Sequence, residues 1–97
     1  MLKNLEELLK TIRDRKNNPK ENSYTNKLLA DKKLSVSKVK EEIDELIESV
    51  EKDTNKIHEA ADVMYHLLVY LEANEINIEH IMAVSYTHLT LPTKRIV

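Results

Sequence analysis

The chain has 97 residues, with no Gly, Cys, Trp or Phe and only two Pro. That length makes one domain whose core is adequate but not generous, so association would help it. A composition rich in Leu, Ile, Glu and Lys points to an all-α protein and away from a sheet. Fifteen Lys and Arg against seventeen Asp and Glu give a formal net charge of −2, which lacks the basic surplus of a nucleic-acid surface. Without Cys there is neither a disulfide framework nor a thiolate metal site, as befits a reducing compartment. The N-terminus is polar within three residues, and the longest apolar run is short and interrupted by Asp62 and His66. A soluble, cytoplasmic protein with no membrane partner is expected.

Leu2, Leu5, Leu8, Leu9 and Ile12 recur at three- and four-residue steps and predict an amphipathic helix from about Leu2 to Lys16, stopped by Asn17, Asn18 and Pro19. Ser23 is placed to cap a short helix carrying Leu28, Leu29 and Ala30, which ends near Asp31 to Lys33. A long helix is expected from Ser35 or Ser37 to Lys52, with Val36, Val39, Ile43, Leu46, Ile47 and Val50 on one stripe. Asp53 and Thr54 should cap the next helix, which runs to about Asn74. The connection is tight, so the two long helices pack antiparallel. Asn77 can cap a last helix holding Ile78, Ile81, Met82 and Val84. Residues 85–97 are rich in Thr and β-branched types, contain Pro92 and lack a helical stripe. They are read as a C-terminal extension, either a frayed terminus or an artefactual segment similar to translated adaptor sequence, with residues 1–84 forming the domain proper. About four helices in an antiparallel bundle result.

Within the stretch from Glu59 to Leu71, Glu59, Asp62 and His66 fall at i, i+3 and i+7, within roughly 60° of one another on a helix. The other positions are Ala, Val, Met, Tyr and Leu, so this helix should be covered on most sides, and a carboxylate there needs a counter-charge or a metal. On the preceding helix, Glu42 and Glu45 lie at the margin of the apolar stripe and can face Glu59 and Asp62. Four carboxylates on two facing helices suggest a hard-cation site for Mg²⁺, with Mn²⁺ as a substitute, because oxygen-only ligands do not favour Zn²⁺. The bland alternative is a solvated acidic face, common on helices. His66 reads as a hydrogen-bonded residue behind the ligands, not as a ligand.

The ordered set Ser23-Tyr24-Thr25-Asn26-Lys27-Leu28, Lys38-Val39-Lys40-Glu41-Glu42-x-x-Glu45 and Glu59-Ala60-Ala61-Asp62-Val63-Met64-Tyr65-His66 resembles the phosphoribosyl-ATP pyrophosphohydrolases of histidine biosynthesis, within the all-α MazG-type nucleoside triphosphate pyrophosphohydrolases. The resemblance covers about Leu2 to Val84. It implies hydrolysis of phosphoribosyl-ATP to phosphoribosyl-AMP and pyrophosphate, with Mg²⁺ as cofactor and a homodimer as the assembly. It also implies metal-ligand roles for Glu42, Glu45, Glu59 and Asp62, with Glu41 a less certain member. Ser23, Tyr24, Thr25 and Lys27 match the family's Ser-Tyr-Thr-x-Lys stretch and would face substrate, and Lys38 could add positive charge there. So could Arg13, Arg15, Lys32 and Lys33, most of them read as ordinary surface. Lys40 stands where the family commonly has Gly, a change that a helix interior tolerates. Two rival readings are a housekeeping enzyme acting on free nucleoside triphosphates and a non-catalytic helical module whose acidic face binds a basic partner.

Overall fold

The computed structural model describes residues 2–90, and the side chains of residues 2–87. Every regular element among them is a helix: α1 (Lys3–Asn17), α2 (Tyr24–Ala30), α3 (Lys32–Lys52), α4 (Lys56–Ala73) and α5 (Ile78–Thr90). The protein is all-α, with five helices once the short α2 is counted. The most extensive pairing is α3 against α4, and α2 packs on α1, α3 and α4. Ile12, Leu28, Leu68 and Val69 form the buried core, with Leu5, Leu8, Leu29, Leu34, Tyr65 and Ile78 against it. This core joins α1, α2 and α4 and leaves most of α3 outside it.

The ends of α2 follow from capping. The Ser23 hydroxyl accepts from the Asn26 backbone N–H, as its sequence position predicts. Asp31 then closes α2 and caps α3 through its carboxylate, which accepts from the Leu34 N–H at 3.1 Å. The long helix therefore starts at Lys32 and not at Ser35 or Ser37. Asp is as strong a cap as Ser, and Lys32, Lys33 and Leu34 propagate a helix readily once it is capped. Ser35 sits inside the first turn, 1% exposed, its hydroxyl without a hydrogen-bond partner.

The connection between α3 and α4 also departs from expectation. Asp53 does not cap α4; it ends α3 in the left-handed region at φ 56°, and Asn55 precedes α4 at φ 47°. A chain without Gly must use other residues there, and Asp and Asn tolerate positive φ best. Asn22 does the same in the α1–α2 loop. Lys56 pairs with Asp53 across the turn.

Helix α5 begins as predicted, the Asn77 side chain accepting from the His80 N–H at 3.1 Å. It does not stop at Val84 but is described to Thr90. Ile78, Ile81 and Ser85 are the half-buried positions among its described side chains, so an inward line does continue past Val84. The Thr87 hydroxyl donates to the Ala83 carbonyl one turn back, a bond that lets Thr sit in a helix. Residues 91–97, the rest of the predicted extension, lie outside the described residues.

The buried line of α3 is not its apolar stripe. Ser35, Glu42 and Ser49 are buried, at intervals of seven, whereas Ile43, Ile47 and Val50 are 41%, 53% and 56% exposed. The two lines lie about 90° apart round the helix. Nor is α4 covered on most sides: among its residues only His66, Leu68, Val69 and Glu72 are buried, and Asp62 is exposed.

Candidate active site

The seven-residue interval on α3 turns Glu42 into the α3–α4 interface, where it is 6% exposed. One carboxylate oxygen from each of Glu41, Glu42 and Glu45 lies within 4.8 Å of the others, and a second such group is made by Glu42, Glu59 and Asp62. Glu42 belongs to both. The antiparallel pairing thus brings all five acidic residues of the sequence pattern to one place, around a buried carboxylate whose neighbours Glu41 and Asp62 are open to solvent.

So many like charges at short range perturb one another. The charge of Glu42 and, after it, burial, Glu59 and Glu41 push the Glu45 carboxyl above the usual carboxylate range; a hydrogen bond with Glu59 acts in the same direction. Among the described residues one cation is paired within the group: Lys38 donates to Glu41 at 2.7 Å, which raises the Lys38 ammonium above its ordinary value. Among the described residues the salt bridges include none to Glu42, Glu45, Glu59 or Asp62. A cluster of this kind is under-neutralised, and the donor set is oxygen only. Around one Mg²⁺, ligand oxygens stand about 3–4 Å apart, so separations up to 4.8 Å close with small side-chain rotations. The residues fit a hard divalent cation.

Beside the carboxylates, α2 is fastened to α4. The His66 ring is 7% exposed; its Nδ1 lies 2.7 Å from the Asp62 carbonyl oxygen and its Nε2 lies 2.9 Å from the Tyr24 hydroxyl. Thr25 Oγ1 and the Tyr65 hydroxyl are 2.5 Å apart. The Tyr24 and Tyr65 rings stack at 6.3 Å, and His66 meets both edge-on. Burial raises the Tyr24 phenol above its ordinary value, opposed by nearby Lys38 and aided by Tyr65, Glu42 and Glu41. Tyr24 and Lys38 therefore share the electrostatic field of the carboxylates.

Two of the candidate substrate residues are placed differently. The oxygen of Ser23 is engaged in capping, which leaves its own proton free for an acceptor. Lys27 is exposed on α2, and its ammonium has no partner among the described residues. Arg13 is committed elsewhere, to Glu72 and Glu79.

Tyr65 and Asn26 are contributors that pattern reading passed over. Asn26 donates to the Arg15 carbonyl at 2.7 Å and accepts from the Lys20 N–H at 2.8 Å, so it pins the α1–α2 loop and sets where α2 begins. The only signal was its place inside the Ser-Tyr-Thr-x-Lys stretch, as the variable residue.

The profile of the phosphoribosyl-ATP pyrophosphohydrolase family matches residues 5–85. The chain belongs to that family. It is 42% identical over 85 residues to the phosphoribosyl-ATP pyrophosphatase of Halobacterium salinarum, covering 81% of this chain and 90% of that one. With the enzyme of the same name from Clostridium novyi it shares 47% over 83 residues, 79% of this chain and 73% of the other. It is also 37% identical over 90 residues to the histidine biosynthesis bifunctional protein of Schizosaccharomyces pombe, spanning 93% of this chain and 20% of that protein. No solved structure gives a significant match. Within the family frame, Lys40 is exposed on α3, about 200° round the helix from Glu42. Its side chain stands away from the buried carboxylate, so the departure from Gly leaves the cluster unobstructed.

Proposed function

We propose that this protein hydrolyses the α,β-phosphoanhydride of phosphoribosyl-ATP to phosphoribosyl-AMP and pyrophosphate, a step of histidine biosynthesis. The observation that carries the reading is the pair of carboxylate groups sharing buried Glu42, in a chain of this family. Glu42, Glu45, Glu59 and Asp62 would hold Mg²⁺, or Mn²⁺ in its place, with Glu41 at the edge. When bound, the cation supplies charge to offset the polyphosphate and lowers the pKa of a coordinated water. The chain's own residues set the position: α3 and α4 aim the carboxylates, while α2 presents Tyr24 and Thr25, and Lys38 offers an ammonium near them. Residues 1–84 make up the catalytic unit, and residues 85–97 extend it. A highly charged nucleotide substrate does not cross membranes, which supports a cytoplasmic enzyme; no helix among the described residues is long and apolar enough to span one.

The test is pyrophosphate release from phosphoribosyl-ATP with Mg²⁺ or chelator, alongside ATP and dUTP. Metal-dependent turnover selective for phosphoribosyl-ATP is expected. Cleavage of the free triphosphates alone would assign the protein to the housekeeping branch, and no turnover by a folded sample would favour the non-catalytic module.

A homodimer belongs to the same reading. Ile43, Ile47 and Val50 form one exposed line on α3 at i, i+4 and i+7, the pattern of a helix face that a partner covers. Light scattering should give twice the 11.3 kDa chain mass. Ile47→Glu, which sets a charge in that face, should shift the mass toward one chain; a wild-type protein that is monomeric at high concentration would refute the assembly.

A further inference from the structure

We propose that His66 is a positioning residue that turns the Tyr24 hydroxyl into a hydrogen-bond acceptor at the edge of the carboxylate cluster, so that Tyr24 contacts a sugar hydroxyl of the substrate and not a phosphate. The inference rests on the proposed reaction and names a contact within it. A carbonyl oxygen can only accept, so the 2.7 Å contact from His66 Nδ1 to the Asp62 carbonyl requires the proton on Nδ1. In the neutral imidazole this leaves Nε2 as an acceptor. The Tyr24 O–H, 2.9 Å away, must then donate to it. Its proton is spent on His66, and the oxygen lone pairs remain to accept, on a residue that is 46% exposed.

A phosphate oxygen is an acceptor and gains nothing from such a group. A ribose hydroxyl, with a proton to give, does. The donors that suit phosphate lie nearby in Lys38 and the free proton of Ser23. Stacking on Tyr65 and the contact of Thr25 with the Tyr65 hydroxyl hold the Tyr24 ring in place, so the polarity of the hydroxyl is set by His66 alone.

The test compares wild type with Tyr24→Phe, His66→Phe, the double variant and His66→Gln, whose Oε1 can accept from Tyr24. Each measurement reads KM and kcat for phosphoribosyl-ATP, inhibition by phosphoribosyl-AMP and by inorganic pyrophosphate, and Mn²⁺ affinity. Tyr24→Phe and His66→Phe should each raise KM about tenfold, the worth of one good hydrogen bond, and move kcat less. Phosphoribosyl-AMP should inhibit correspondingly less, with pyrophosphate inhibition and Mn²⁺ affinity unmoved. The double variant should be no worse than either single one, and His66→Gln should recover most of the loss. Weakened pyrophosphate inhibition in Tyr24→Phe, or additive losses in the double variant, would overturn the proposal. The ¹⁵N spectrum of His66 decides independently of turnover: a pyrrole-type Nδ1 with a pyridine-type Nε2 supports it, and either the reverse tautomer or two pyrrole-type nitrogens sinks it. Wild type inactive on phosphoribosyl-ATP would refute the proposed reaction, and with it the sugar contact, while the ¹⁵N result would still judge the role of His66.

Discussion

Glu42→Gln is expected to abolish metal-dependent hydrolysis while making the metal-free protein more stable. Glu42 is 6% exposed and its carboxylate belongs to both acidic groups. Two unit charges about 5 Å apart repel by about 3 kcal/mol at an effective dielectric of 20, before screening by salt. An amide of the same shape removes that repulsion and leaves no cavity. Allowing for partial exposure of the neighbours, a net gain of about 1 kcal/mol is expected in chelator at low salt, or about 4–8 °C in Tm for a domain of this size. The catalytic effect runs the other way. Losing a ligand shared by both groups should forfeit several kcal/mol of transition-state charge stabilisation, a fall of about 10³-fold or more. Mg²⁺ should raise the Tm of wild type by mass action and leave that of Glu42→Gln nearly unmoved. Thermal scans with and without Mg²⁺, at fixed protein concentration, check both halves. A variant less stable than wild type in chelator would mean that Glu42 serves the fold, and the cation-site reading would fall.

That such a site could be read from the chain at all depends on two spacings. Glu42 with Glu45, and Glu59 with Asp62, are separated by three residues within a helical period, which puts each pair on one face whatever the tertiary structure. The tight connection between the two long helices then brings the faces together. Ser23 and Asn77 were equally legible, because a capping side chain acts within three residues of itself. What could not be read is whatever depends on a neighbour. Periodicity says that Ile43, Ile47 and Val50 share a face with Val39 and Leu46, but not whether another helix of the same chain covers it. The line that is covered, Ser35, Glu42 and Ser49, is polar and would pass for a solvent face. Asp53 is a strong cap in general, yet here it takes the left-handed position that Gly would fill in other chains. The same blind spot hides Tyr65, whose role becomes visible only when α2 lies beside α4.

Arg13→Met should cost substantial stability, and it should do so without disturbing the chemistry. Arg13 on α1 donates to Glu72 on α4 at 3.2 Å and, with both terminal nitrogens, to Glu79 on α5 at 2.9 and 2.7 Å. Glu72 is 7% exposed, so Met at position 13 would fill the space of the stem and strand a buried charge. Arg13 itself is about one-third exposed, which lowers the expected loss to about 2 kcal/mol, or about 10 °C in Tm. Adding Glu72→Gln removes the stranded charge and should recover most of it; failure of that rescue would refute the account. The pH dependence carries a second signature. The hydrogen bonds from Arg13 hold the Glu79 carboxyl down at about 2, below the ordinary value near 4.3. A folded-state pKa that is depressed contributes stability in full above the unfolded value and loses it as pH falls toward the folded one. The Tm gap between wild type and Arg13→Met should therefore narrow between about pH 5 and pH 2; a gap independent of pH would show that Glu79 has no part in the clamp. Glu72 stands 13 residues beyond Glu59 on α4, about 20 Å along the helix, so below its melting range the variant should hydrolyse phosphoribosyl-ATP at the wild-type rate. A clamp at one end of α4 and a charge cluster at the other thus divide the helix between holding the bundle and carrying the carboxylates proposed to take the cation.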